Sequence, residues 1–86
     1  MLVTEWFNQN GRAIQAGSVD DYDFDCAKTG YTLLGVIGTT ITSGGGCTTV
    51  YLDKPSATTI KYRIRNNGTS SVTPTKVWVL CLYVKS

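Results

Sequence analysis

Apolar and polar positions alternate most informatively in the last stretch, Lys76-Val77-Trp78-Val79-Leu80-Cys81-Leu82-Tyr83-Val84. Read with period two, one side carries Val77, Val79, Cys81 and Tyr83, and the other carries Trp78, Leu80, Leu82 and Val84. The run is rich in β-branched and aromatic residues, lacks Gly and Pro, and is too short to span a bilayer as a helix. Both sides are apolar, so a strand here needs cover on both faces. One face can lie on the domain's own core. The other calls for a second layer, which another subunit can supply. The spacing predicts a strand central in its sheet, with Trp78, Leu80 and Leu82, or in the opposite register Val77, Val79 and Tyr83, at a subunit interface.

The preceding chain reads as short strands between turn signals. Met1 to Phe7 alternates Leu2, Thr4 and Trp6 against Val3, Glu5 and Phe7, and Asn8-Gln9-Asn10-Gly11 is a turn signal. Arg12 to Ala16 is short, and Ala16-Gly17-Ser18 is a break. Residues 1–16 are therefore expected as an N-terminal strand or linker, and residues 17–86 as the folded domain. Val19 to Cys26 puts Asp21, Asp23 and Asp25 on one face and Asp20, Tyr22, Phe24 and Cys26 on the other. Tyr31 to Thr42 is β-rich but broken by Gly35 and Gly38, which predicts a bent strand or one approached by a bulky neighbour such as Trp78. Strict alternation there would set Leu33, Ile37 and Ile41 on one side, opposite Leu34 and Val36. A loop at Ser43-Gly44-Gly45-Gly46 leads into Cys47 to Asp53. Ala57 to Arg65 points Thr58, Ile60, Tyr62 and Ile64 inward and Thr59, Lys61, Arg63 and Arg65 outward. Six to seven short strands and no helical pattern predict an all-β, antiparallel β-sandwich or jelly-roll-like fold.

At 86 residues the chain makes one domain with a marginal core, which favours association. The formal charge of +2 is small but unevenly placed. Acids concentrate in the first 30 residues, and from Lys54 onward there are only Lys54, Lys61, Arg63, Arg65, Lys76 and Lys85. Those cations lack interleaved aromatics or a nucleic-acid motif and read as a solvated strand face. Asp21, Asp23 and Asp25 share their spacing with Lys61, Arg63 and Arg65. Neighbouring strands would therefore carry a complementary charge ladder.

Candidate chemistry is sparse. Histidine is absent, which removes the usual nucleophilic triads and the commonest metal ligand. Asp21 and Asp23 lie at a separation a glycosidase pair could use, but on an exposed flat face without the apolar pocket that raises an acid's pKa. Asp21, Asp23 and Asp25 are candidates for a loose Ca²⁺ site. An EF-hand is excluded, because Cys26 and Thr32 stand where its Gly and bidentate Glu belong. The glycine loop lacks the Lys-Ser/Thr of a phosphate-binding loop. Cys26, Cys47 and Cys81 form neither a disulfide framework nor a zinc signature and fit a reducing cytosol. No signal peptide is visible after Met1. Asn67-Gly68-Thr69 fits a glycosylation sequon. No enzyme activity, cofactor, nucleic acid or membrane insertion is expected. Tyr31, Tyr51 and Trp6 are the candidate platforms for a glycan.

Three segments carry a resemblance. They are Gly30-Tyr31-Thr32-Leu33-Leu34-Gly35-Val36-Ile37-Gly38 with its glycine-rich loop, Ala57 to Asn67 ending Ile64-Arg65-Asn66-Asn67, and Val79-Leu80-Cys81-Leu82-Tyr83-Val84-Lys85. Together they span roughly residues 17–86. In order and spacing the chain resembles small C-terminal β-domains of tail-fibre, baseplate and receptor-binding proteins of phages and prophages of Gram-positive and gut bacteria. That pattern commonly has Pro where this chain has Leu33. The resemblance implies a trimeric β-sandwich tip, a virion structural role after synthesis in the bacterial cytoplasm, and adhesion to a bacterial cell-surface glycan. It assigns no binding residue. The alternatives are a monomeric bacterial carbohydrate-binding module and a ligand-free trimerisation domain.

Overall fold

The computed structural model describes all 86 residues, and they form six strands and no helix. The strands are β1 (Leu2–Asn10), β2 (Val19–Asp25), β3 (Tyr31–Thr42), β4 (Cys47–Asp53), β5 (Thr59–Asn66) and β6 (Lys76–Lys85). They make two three-stranded antiparallel sheets, ordered β1-β6-β3 and β2-β5-β4. Successive strands cross from one sheet to the other until the β4–β5 hairpin. β1 pairs with β6 and β2 with β5, a nested, jelly-roll-like wrap. The expected all-β sandwich is the fold.

The two strands with the strongest sequence signals are the central ones. β5 buries Ile60, Tyr62 and Ile64, and β6 buries Val77, Val79, Cys81 and Tyr83. Tyr22, Phe24 and Cys26 join them from the β2 side, and Leu33 from β3. Each inward residue alternates with an outward one because successive strand side chains point to opposite faces. Tyr83 donates its hydroxyl to the carbonyl of Cys26 at 2.7 Å, which satisfies a polar pair inside the core.

β1 is a full strand of the sandwich. It pairs with β6 from Leu2–Val84 to Asn10–Lys76, so the division expected near residue 16 separates no unit here. One long side of the sandwich is closed. The Gln9 side chain donates to the carbonyl of Asp23, and Lys28 Nζ lies 2.8 Å from Glu5 Oε1. Glu5 is thus tied down within β1.

β3 departs from simple alternation. Its pairing with β6 shifts between Leu33 and Gly35 and again between Val36 and Gly38, which makes Leu34 and Ile37 the extra residues of two bulges. Leu33, Val36, Thr39 and Ile41 pair with inward β6 residues, whereas Gly35, Gly38 and Thr40 pair with Leu82, Leu80 and Trp78. The expected grouping of Ile37 with Leu33 and Ile41, against Val36, is therefore corrected. Each bulge adds one residue and resets the period.

Loops 11–18, 43–46 and 67–75 gather at one end. Ile14 and Val72 bridge there through bonds of 2.8 and 3.0 Å. Asn66 is buried beneath them.

Candidate functional site

The two outer faces of the sandwich differ sharply in chemistry. On the sheet containing β5 the outer face is charged. Asp21 pairs with Arg63, Asp23 with Lys61 and Val19 with Arg65. Arg63 donates Nε and Nη2 to the two carboxylate oxygens of Asp21, at 2.6 and 2.9 Å. Lys61 Nζ lies 3.8 Å from Asp23. Arg63 also stacks 4.7 Å from the Tyr51 ring centroid. The hydrogen bonds from Arg63 hold the Asp21 carboxyl below its usual range, and Asp21 in turn raises the guanidinium. The expected charge ladder is present.

The same geometry answers for the Asp21, Asp23 and Asp25 metal candidates. Asp21 and Asp23 already face cations, and Asp25 Oδ1 accepts the Ala27 backbone N–H at 3.2 Å. No group of three or more metal-ligating side chains comes together in the chain. Three carboxylates spaced along one strand, two of them neutralised by a neighbouring strand, do not converge on one point.

The outer face of the β1-β6-β3 sheet is apolar. Register places Leu2, Val84 and Thr32 in one row, then Thr4, Leu82 and Gly35, then Trp6, Leu80 and Gly38, then Asn8, Trp78 and Thr40. The bulges raise Leu34 and Ile37, leaving them 49% and 56% exposed, beside Trp6 at 47% and Leu2 at 61%. Trp78, Leu80 and Leu82, expected at an interface, all lie here, half-buried among these neighbours. The only charged residue along these rows is Lys76, at the end where Asn10 and Thr42 flank it. Strands of nine, ten and twelve residues, rising about 3.3 Å per residue and set about 4.8 Å apart, give a whole sheet face, polar positions included, of about 400 Å².

Trp6 and Trp78 meet on this face edge to face, with centroids 6.1 Å apart and planes at 88°. Thr42 accepts a 3.0 Å hydrogen bond from Trp78 Nε1 and fixes that ring. Trp6, Trp78, Thr40 and Thr42 line an open cleft of about 410 Å³. Gly38 lies at its edge. A Cβ there would sit 3.5 Å from Leu80 Cβ and 3.9 Å from the Trp6 ring, so Trp6 and Leu80 are the bulky neighbours, not Trp78.

The three glycan candidates do not converge. Trp6 is on the apolar outer face, whereas Tyr51 is on the charged one. Tyr31 packs against the core edge, with Lys28 Nζ 5.3 Å from its ring centroid. Alternation alone missed Ile37, which it grouped with the inward Leu33 and Ile41, because only the bulges turn it outward. It also missed Thr40 and Thr42, whose place beside Trp78 depends on the β3–β6 register. The cysteines offer no activated nucleophile. Burial pushes the thiols of Cys26, Cys47 and Cys81 upward, and Cys26 and Cys81 are fully enclosed.

Comparison with protein-family models, with curated proteins and with solved structures finds no match for this chain.

Proposed function

We propose that this chain is a non-catalytic, self-associating tip module of the phage or prophage tail type, a trimer that contributes to a virion structure and to host-surface adhesion. One observation carries the reading: the outer face of the β1-β6-β3 sheet is apolar along most of its length, while the opposite outer face is laddered with ion pairs. Exposed Leu2, Trp6, Leu34 and Ile37 lie together on this face, and apolar side chains clustered in this way often mark an interaction site. The face's single charge, Lys76, stands at one end, so the rest of the face lets copies of the same chain meet without repulsion. Closed symmetry then buries a surface that the 86-residue core cannot cover. A threefold assembly also presents equivalent sites in triplicate, which suits adhesion by avidity. The order of the three segments resembling tail-tip domains supports the phage assignment. The absence of histidine and of an activated nucleophile supports the non-catalytic one.

Light scattering coupled to gel filtration tests the assembly. The expected result is a trimer mass for the native chain and a monomer mass for Ile37→Asp and Leu80→Asp. Ile37 is more than half exposed, so its replacement leaves the core intact. A monomeric native chain, or a trimer unchanged by both substitutions, overturns the reading.

A further inference from the structure

We infer that the cleft between Trp6 and Trp78 is a subsite for a pyranose ring of an uncharged glycan. This deepens the adhesion reading above and rests on it for the ligand's origin on a cell surface. The chemistry of the cleft stands on its own.

The apolar face is not uniform along its length. Leu2, Leu34, Ile37, Leu80, Leu82 and Val84 fill one end and the middle. At the other end the rows become Asn8, Trp78 and Thr40, then Asn10, Lys76 and Thr42. Two indoles beside the Thr40 and Thr42 hydroxyls, where the apolar strip gives way to polar rows, differ from a strip made to be buried against a copy. Such a mixture of aromatic surface and a few placed polar groups is the make-up of a small-ligand site.

A pyranose ring has an apolar C–H face and a rim of hydroxyls. The perpendicular indoles offer one flat wall and one edge, a floor and a side for such a ring. Thr42 already engages Trp78 Nε1, so that ring is oriented before any ligand arrives, which lowers the ordering cost of binding. The Thr40 hydroxyl lines the cleft without a hydrogen-bond partner in the chain and is free to bond the hydroxyl rim. No charged side chain lines the cleft, so nothing there recognises a phosphate, a carboxylate or an ammonium group. The open cleft, about 410 Å³, leaves room for a pyranose ring.

The chain contains two tryptophans, and both are in the cleft, so tryptophan emission reports on this site, and the mass measured in parallel separates ligand binding from association through the same face. The native chain is titrated with soluble tetrasaccharides built from glucose, galactose, rhamnose or N-acetylglucosamine, and its mass is followed in parallel by light scattering. A saturable emission change with at least one sugar is expected. Trp6→Ala, read through Trp78, weakens it about tenfold by removing one aromatic contact. Thr40→Val, which keeps the shape and removes the hydroxyl, weakens it severalfold. No saturable change with any of the four sugars, or saturation indifferent to both substitutions, overturns the glycan site. Binding by a monomer would uphold the site while overturning the trimer; a trimer without binding would do the reverse.

Discussion

Asn66 is 1% exposed, and its side chain bonds three backbone groups of the loop end. Its Nδ2 donates to the carbonyls of Ile14 at 2.9 Å and Ser70 at 2.8 Å, and its Oδ1 accepts the Gly68 N–H at 2.9 Å. Removing one partner from a buried bond leaves the other desolvated and unpaired, which costs about 1–3 kcal/mol for each group. Asn66→Ala should therefore destabilise the chain by about 3 kcal/mol, seen as a lower urea midpoint with an unchanged slope. Asn67→Ala, on an exposed neighbour, should cost far less. Asp21 gives a pH-dependent counterpart. Its folded-state pKa lies below the ordinary 3.8 because Arg63 hydrogen-bonds the carboxylate. A depressed carboxyl stabilises the fold above its unfolded pKa and loses that contribution as pH falls through its folded pKa. The native chain should thus be more stable than Asp21→Asn at neutral pH, and the gap should close as the solution is acidified below about pH 4. Parallel urea titrations at neutral and acidic pH measure it. A gap that widens on acidification would contradict the assignment.

At the level of elements, what the sequence reveals depends on whether a strand keeps its period. β5 and β6 keep theirs, so their inward faces, their central positions and the partnering of Lys61 and Arg63 with the β2 aspartates follow from alternation. β3 does not. Leu34-Gly35-Val36-Ile37-Gly38 contains two bulges, and period two cannot foretell which residue is the extra one. The Trp6–Trp78 cleft was illegible for another reason. It needs β1 and β3 on either side of β6, a pairing fixed by contacts from both ends of the chain. The glycines likewise serve different ends. A Cβ on Gly11 would land on the carbonyl of Pro74, its carbon 2.6 Å away, whereas Gly38 has room for one at ordinary contact distance. Gly11→Ala should therefore destabilise by about 2–3 kcal/mol through a backbone clash, and Gly38→Ala by less than about 1 kcal/mol. Thermal unfolding of the two variants should separate them clearly. Similar losses would mean that the bulged β3 is as intolerant as the loop end.

For the whole molecule, the contrast between the two outer faces makes the forces of assembly separable. The ion ladder of Asp21, Asp23, Lys61 and Arg63 is exposed to salt, and screening at a Debye length of about 8 Å weakens such pairs. The face formed by Leu2, Leu34, Ile37, Leu80, Leu82 and Val84 has no charge to screen. Self-association through it, as proposed, would be driven by removal of apolar surface from water, which salt does not weaken. If folding is linked to that association, the midpoint of thermal unfolding must rise with protein concentration, because mass action favours the associated folded state. The native chain should therefore melt higher at higher concentration, in high salt as in low salt. Ile37→Asp should melt at one temperature whatever its concentration. Asp21→Asn should keep the concentration dependence of the native chain while melting lower throughout. A concentration dependence that vanished in high salt would move the interface to the ion-laddered face, and the apolar strip would then have to be covered by something other than a copy of this chain.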